Sequence, residues 1–207
     1  MIERLIVVRH GETVHNLRGI AQGWSDSELS ETGLVQVGKA AERLVTLSPT
    51  AVYSSSLPRA VTTAESIAGA LGLNMIVLDE LREMNCGRWE GLPFLSVRRD
   101  EPEYFARWSA DPAVPCPEGE SHTDVRARIT KALQRVELDS DGAPSSPVLV
   151  SHGTAIRIAA TVLLGLPLEC ARQFAQDNAA INIFDRRGGA YILERWNDVT
   201  HWREGKG

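Results

Sequence analysis

Cysteine is scarce in this 207-residue sequence, and its cysteines lack the spacing of a redox or metal-binding motif. Cys86, Cys116 and Cys170 form no CxxC motif. An odd number of cysteines without a secretory signal is typical of free thiols in a reducing compartment. We therefore expect three free thiols and no disulfide framework.

Long apolar runs are also missing. The apolar segment Leu5–Val8 is too short for a signal peptide or a membrane span, and no later run reaches spanning length. We therefore expect a soluble, cytoplasmic protein.

The sequence has no excess of positive charge, since 22 Lys and Arg against 27 Asp and Glu give a formal net charge of -5. This balance argues against nucleic acid or an anionic membrane as a partner. The tryptophans lack the basic neighbours of a base-stacking platform. A small anionic substrate remains compatible, because a few converging cations can make a positive cleft on an acidic protein.

The segments that are present alternate between strand and helix patterns. Four short apolar runs predict buried strands: Ile2–Val8, Ala51–Ser54, Met75–Leu78 and Val148–Ser151. A late pair around Arg186–Gly189 predicts a hairpin. This alternation predicts an α/β fold of three layers, α/β/α, with a mainly parallel central sheet and one or two antiparallel late strands at its edge. The length fits one domain over residues 1–207.

Helix boundaries are marked by capping residues. Ser30 predicts the start of a helix near Thr32, whereas Pro58 and Gly72 predict the first turn and the end of the next helix. Residues 92–146 differ in composition and predict a largely helical cap insertion, with a helix from about Ser121 to Leu138 and a flexible connection over 139–147.

Polar residues follow the strands at the points where the strands end. Arg9, His10 and a glycine follow the first strand, and His152 and a glycine follow the fourth. Arg59 lies in the first turn of the helix after the second strand, where a helix favours anions. Because ligands of open α/β sheets bind at the carboxyl ends of the strands, we expect these groups to meet. The glycines let the chain turn and let backbone N–H groups approach an anion.

Two arginines and two histidines around one point fit a phosphoryl group, whose charge is spread over several oxygens. Neutral imidazole can attack phosphorus, which makes His10 the candidate nucleophile. Glu83 is the candidate proton donor, although Glu80, Glu90 and Glu120 are alternative carboxylates. The sequence has no HxH, HExxH or clustered aspartates of metal-ligand spacing, and we expect neither a metal nor another cofactor.

Five ordered motifs resemble those of the histidine phosphatase superfamily, in its phosphoglycerate-mutase-like branch. They are Arg9–Thr13 with Asn16, Gln22-Gly23 and Leu29–Gly33; Ser54–Ala60; Leu81–Glu83 with Gly87–Gly91; Gly119–Ser121; and Val150–Gly153. The resemblance covers about residues 1–185.

The resemblance implies a role for each matching residue. His10 is implied as the phosphorylated nucleophile and Glu83 as the proton donor. Groups implied to bind the phosphoryl oxygens are Arg9, Arg59, His152, Asn16 and the backbone of Gly153. Gln22 and Gly23 are implied to line the substrate side, and Thr13 to support the pocket from behind.

The expected function is a small-molecule phosphomonoesterase acting through a phosphohistidine on a small phosphorylated metabolite. The alternative is a cofactor-dependent phosphoglycerate mutase using the same pocket. Mutases of this family typically carry a longer cap insertion than Asp111–Gly119, which favours the phosphatase. A third hypothesis is an inactive ligand-binding module, which would be expected to lose His10, Arg59 or His152.

Several questions stay open from the sequence. The cap residues Arg98, Arg99, Arg107 and Trp108 are expected to hold the leaving group, and His122 to contact substrate or only to pack. An exposed patch on the cap could equally form a homodimer interface, so the oligomeric state stays open.

Overall fold

The computed structural model describes residues 1–140 and 144–203, and within them six strands form one mixed sheet. The strands are β1 Arg4–Arg9, β2 Ala51–Ser54, β3 Met75–Val77, β4 Pro147–Ser151, β5 Ile181–Arg187 and β6 Ala190–Asp198. Their order in the sheet is β3-β2-β4-β1-β5-β6.

The sheet is mostly parallel. Strands β3, β2, β4 and β1 pair in parallel, β5 is antiparallel to β1, and β6 is antiparallel to β5. The predicted α/β class and late hairpin are confirmed. Of the two hairpin strands, only β6 lies at the edge of the sheet. Strand β5 pairs with β1 on its other side, where Ile6 lies opposite Ile183.

Seven α-helices surround the sheet within the described residues. They are α1 Val14–Leu17, α2 Glu31–Val45, α3 Pro58–Leu71, α4 Phe94–Asp100, α5 Pro102–Ala110, α6 His122–Asp139 and α7 Gly153–Leu164. Short 3₁₀ turns cover Asp79–Leu81, Gly87–Trp89 and Leu168–Gln173. None of the helices in these ranges is long and apolar enough to cross a membrane.

The predicted helix caps are present. The Ser30 side chain accepts a hydrogen bond from the Gly33 N–H and so begins α2. Pro58 occupies the first turn of α3, and Gly72 ends this helix with a φ of 66°, a left-handed conformation that favours glycine. Ser121 caps α6 through a reciprocal pair of hydrogen bonds with Asp124.

Strand alternation divides the core into two apolar layers. Ile6 and Val8 of β1 pack with α2 and α3 on one face of the sheet. Leu5 and Val7 point to the other face, which α6 and α7 cover. Successive side chains of a strand face opposite sides, so a strand covered on both faces is apolar throughout. This three-layer arrangement presents the carboxyl ends of β1, β2 and β4 at one rim.

The segment predicted as a cap has two parts. Helices α4 and α5 are short, and α5 has no fully buried residue. Helix α6 is different, because Val125, Ile129 and Val136 are buried in the same cluster as Leu5 of β1. Of the connection predicted over 139–147, residues 141–143 lie outside the described residues, and Pro147 already begins β4.

Candidate active site

A cavity of about 310 Å³ lies at the carboxyl ends of β1, β2 and β4. Most of the groups predicted for the site line it: Arg9, His10, Asn16, Gln22, Gly23, Arg59, Glu83 and Gly153. His152 is not among the lining residues, but its ring is next to that of His10, with 5.1 Å between ring centroids. The topology thus brings together groups from six separate segments of the chain.

His10 is buried, and its ring nitrogens have different surroundings. Nδ1 lies 2.7 Å from the Gly11 carbonyl oxygen, which can only accept, so Nδ1 carries a hydrogen. Burial, together with the charges of Arg59 and Arg9, holds the pKa of His10 well below its usual value of 6.5. The ring is therefore neutral near pH 7, and its Nε2 has a free lone pair.

His152 is also buried and hydrogen-bonded through one nitrogen. Its Nε2 lies 2.8 Å from the Ser55 hydroxyl, which itself accepts a hydrogen bond from the Leu57 N–H at 3.2 Å. Burial, and after it the charge of Arg59, lowers the pKa of His152. Nδ1 has no partner among the described residues. The Ser55 hydroxyl has no other acceptor among the described residues, so it donates to Nε2, and the hydrogen of the neutral ring lies on Nδ1.

The two guanidinium groups are fixed by backbone carbonyls. Arg59 donates to Gly23 at 2.7 Å and to Ser25 at 2.8 Å, and Arg9 donates to Gln176. The Nε atoms of both arginines are buried and have no acceptor within the described part of the chain. Burial lowers the pKa of Arg9 to about 10, so the group stays charged at neutral pH. Buried donors without partners are rare, and two of them at one cavity indicate an anion site.

The loop after α1 is held by Glu90. Its carboxylate accepts hydrogen bonds from the N–H groups of Trp24 at 2.7 Å and Ser25 at 2.9 Å. Gly23 has a φ of 53°, and a Cβ there would lie 2.0 Å from a carboxylate oxygen of Glu90. Only glycine fits this position without displacing the loop.

Thr13 and its neighbours form the floor beside His10. Thr13 is fully buried, and its hydroxyl donates to the Gln22 side-chain oxygen at 3.1 Å. The Asn16 side-chain oxygen accepts from the Thr13 N–H at 3.1 Å and from the Asn178 amide at 3.0 Å. Asn16 therefore keeps its amide N–H groups for a ligand. Asn178 was not singled out from the sequence, because no strand end or helix start marks it.

Glu83 is the single carboxylate among the described residues that line the cavity. It accepts hydrogen bonds from the N–H groups of Met84 at 2.8 Å and Thr154, in the first turn of α7, at 3.1 Å. Of the alternatives, Glu90 holds the loop described above. Glu120 is bound to Arg128 and to the Asn85 N–H. Glu80 does not line the cavity, so of the four carboxylates Glu83 alone lies on its wall.

One expectation about the glycines is wrong. The Gly11 N–H donates to the Thr63 hydroxyl at 3.2 Å and is not free for an anion. Glycine is needed there for packing, because a Cβ would lie 2.6 Å from Val37 and 2.8 Å from the Gly33 carbonyl oxygen.

Comparison with known proteins agrees with this geometry. The family model for the histidine phosphatase superfamily, branch 1, matches residues 5–199. The chain belongs to this superfamily. A similar relative is the probable phosphoglycerate mutase GpmB of Yersinia pestis (strain Pestoides F), 35% identical over 195 residues, which are 93% of this chain and 89% of the relative.

Solved structures of phosphatases are similar to this histidine phosphatase superfamily member. A mycobacterial glucosyl-3-phosphoglycerate phosphatase in complex with VO3 is 33% identical, with a TM-score of 0.84 over 94% of this chain and 98% of that one. A phosphoserine phosphatase variant from Entamoeba histolytica in complex with phosphoserine is 28% identical, with a TM-score of 0.85 over 97% and 99%.

Arg128 of α6 fixes the segment that carries Glu83. It donates to the carbonyl oxygens of Glu80, Arg82 and Glu83 at 2.9, 2.6 and 2.9 Å. It also forms a two-pronged ion pair with Glu120, with N–O distances of 2.8 and 2.9 Å. This network was not foreseen, since the sequence places Arg128 only on a helix.

The cap side of this superfamily member's cavity also differs from expectation. The cap arginines expected to hold the leaving group do not line it. Arg98 and Arg99 lie exposed on α4, and the Arg107 guanidinium lies 6.0 Å from the Tyr104 ring centre. The cationic residues that do line the cap side are Arg157 of α7 and Arg172. Arg157 lies one helical turn beyond Gly153, a spacing that could have indicated it.

Proposed function

We propose that this protein hydrolyses small phosphomonoesters through a phosphohistidine on His10. The observation that carries the proposal is a buried, neutral imidazole with a free Nε2 beside two arginines that have unsatisfied donors. A phosphoryl group is the ligand whose oxygens would fill those donors while phosphorus faces the nucleophile.

In the first step, Arg9, Arg59 and the Nδ1 of His152 bind the phosphoryl oxygens. The Nε2 of His10 attacks phosphorus as the bond to the ester oxygen breaks. Glu83, in its protonated form, gives the leaving oxygen its proton and becomes a carboxylate. The positions of Glu83 and His10 on the same cavity support this assignment.

In the second step, the Glu83 carboxylate accepts a proton from water. The water oxygen attacks phosphorus, the phosphorus–nitrogen bond breaks, and phosphate leaves with His10 neutral again. The charges of Arg9 and Arg59 offset the developing negative charge, and we propose that no metal ion is needed. Within the described residues, no three His, Cys, Asp or Glu side chains are arranged to hold one.

Phosphoglycerate mutase is the alternative, and the name of the Yersinia pestis relative favours it. It would use the same phosphohistidine but return the phosphoryl group to a phosphoglycerate. Two observations favour hydrolysis. The stretch Asp111–Gly119 is short, and the two similar structures described above are named as phosphatases. Product analysis with 3-phosphoglycerate separates the two, since hydrolysis releases inorganic phosphate and mutase activity yields 2-phosphoglycerate.

Replacing His10 with Ala tests the nucleophile. We expect p-nitrophenyl phosphate turnover to be abolished in His10→Ala, and wild-type turnover to survive a metal chelator. His15→Ala is the matched control, because His15 does not line the cavity. Rapidly quenched wild-type turnover should yield an acid-labile, base-stable phosphoprotein that His10→Ala lacks. Substantial activity in His10→Ala would place the nucleophile elsewhere.

A further inference from the structure

The wall of the cavity that faces the cap carries polar groups that the phosphate chemistry does not use. We call it the cap-side wall and define it by Trp108, His122, Arg157 and Arg172, all of which line the cavity. The His122 side chain is 7% exposed, and its Nδ1 has no hydrogen-bond partner among the described residues. The Trp108 Nε1 atom is likewise buried and has no hydrogen-bond partner among these residues. Polar atoms buried in this way usually have a partner, so these indicate a ligand.

The two arginines of the cap-side wall have no carboxylate partner within 4.0 Å in the described part of the chain. Arg157 donates to the Gly153 carbonyl at 3.0 Å, and Arg172 donates to the Trp108 carbonyl at 2.9 Å. Asp111 and Glu169 are near enough to affect the pKa of Arg172, but neither forms an ion pair with it. Each guanidinium therefore retains donors for an anion.

The cap-side wall is continuous with the phosphate pocket. A Cβ on Gly153 would lie 3.6 Å from both the Arg157 Nη2 and the Arg9 Cζ, so the two guanidiniums flank one glycine. The positive charges of Arg172 and Arg157 also lower the pKa of His122, after burial itself. The wall thus consists of two cations and two neutral donors or acceptors within reach of one small molecule.

We propose that the cap-side wall binds a second acidic group, a carboxylate or a phosphate, on the leaving group of the substrate. Arg157 and Arg172 supply the charge, and the Trp108 Nε1–H supplies a directed donor. This inference rests on the proposed function, because it takes the first phosphoryl group to lie at Arg9 and His10. The substrates predicted by this inference are phosphomonoesters that carry a second anionic group on a short chain.

Binding to the unreactive His10→Ala protein tests the subsite without turnover. The probes are 3-phosphoglycerate, 1,3-propanediol bisphosphate and glycerol 3-phosphate, whose unphosphorylated end is neutral. By calorimetric titration we expect at least one diacidic probe to bind about tenfold or more tightly than glycerol 3-phosphate, because a hydrogen bond to a charged group contributes on that order. The diacidic probe with the larger ratio identifies the second group as carboxylate or phosphate.

Adding Arg172→Gln should reduce that ratio to nearly one, mainly by weakening the diacidic probe. Adding Arg107→Gln should leave the ratio unchanged, because Arg107 is a cap arginine outside the cavity. Equal affinities in the His10→Ala background, or equal effects of the two arginine substitutions, would overturn the subsite.

If His10→Ala does not fold, the same ratios are taken from the kcat/KM values of wild type and Arg172→Gln.

The subsite and the proposed function can fail independently. Normal p-nitrophenyl phosphate turnover with a ratio near one would refute the subsite alone. Absence of turnover with a large affinity ratio would refute the phosphatase alone.

Discussion

Replacing Arg128 with Met should destabilise the protein far more than the loss of an ordinary helix-surface arginine. The side chains of Arg128 and Glu120 are only 14% and 19% exposed, so the substitution leaves a nearly buried carboxylate without its cation. Breaking such a pair costs about 3–5 kcal/mol in the free energy of unfolding. For a chain of this length about 1 kcal/mol shifts Tm by roughly 2–4 °C, which gives a fall of about 6–20 °C.

The matched control is Arg135→Met. Arg135 also lies on α6 and pairs with Asp139 at 2.8 Å, but its side chain is 62% exposed. An exposed pair of this kind contributes only about 0.3–0.5 kcal/mol. Urea and thermal unfolding followed by circular dichroism measure both variants. The double variant Arg128→Met/Glu120→Gln should recover part of the loss, because it removes the uncompensated charge.

A kinetic consequence separates positioning from stability. Arg128 holds the Glu83 backbone, so folded Arg128→Met should slow esters with poor leaving groups more than activated aryl esters. The slope of log kcat/KM against leaving-group pKa is the measurement. A loss of stability no larger than that of Arg135→Met, with no recovery in the double variant, would refute this account of Arg128.

Three further predictions address other parts of the site. Glu83→Gln should slow alkyl phosphates much more than p-nitrophenyl phosphate, and equal slowing would assign the acid to another group. Gly23→Ala should raise KM and lower Tm because its Cβ would lie 2.0 Å from Glu90, and unchanged values would show that the loop yields easily. Burial, Arg172 and Arg157 lower the pKa of His122 to about 4, outweighing the opposite effect of Glu83. The unfolded chain therefore binds the extra proton first, and stability falls as pH drops from about 6.5 toward 4, by up to about 1.4 kcal/mol per pH unit for this histidine. In urea titrations His122→Gln should be less pH-sensitive than wild type by that amount, and identical slopes would contradict the pKa shift.

The helices and strands could be predicted from local chemistry. Ser30, Pro58 and Gly72 act through hydrogen bonds and backbone angles within a few residues, so their effects are visible in the sequence. The position of β5 could not be predicted in this way. Its pairing with β1 depends on which of several apolar strands meet in three dimensions.

Candidate site residues at strand ends were predictable because the sheet gathers those ends at one rim. Arg172 and Asn178 were not, because their positions depend on how the segments after α7 pack on the sheet. The arginines of α4 show the converse error. Their charge and their place in the predicted cap favoured substrate contact, but the packing of this helix leaves Arg98 and Arg99 exposed outside the cavity.

The sequence by itself determined the α/β class and the presence of His10, Arg59 and His152 at element boundaries, since these follow from apolar periodicity and short-range capping. Only the tertiary structure decided the state and surroundings of those groups. The neutral ring of His10 results from burial and from two arginines, and Arg59 of this pair is distant in sequence. Electrostatic effects depend on distance and solvent exposure in space, and neither is fixed until the chain has folded.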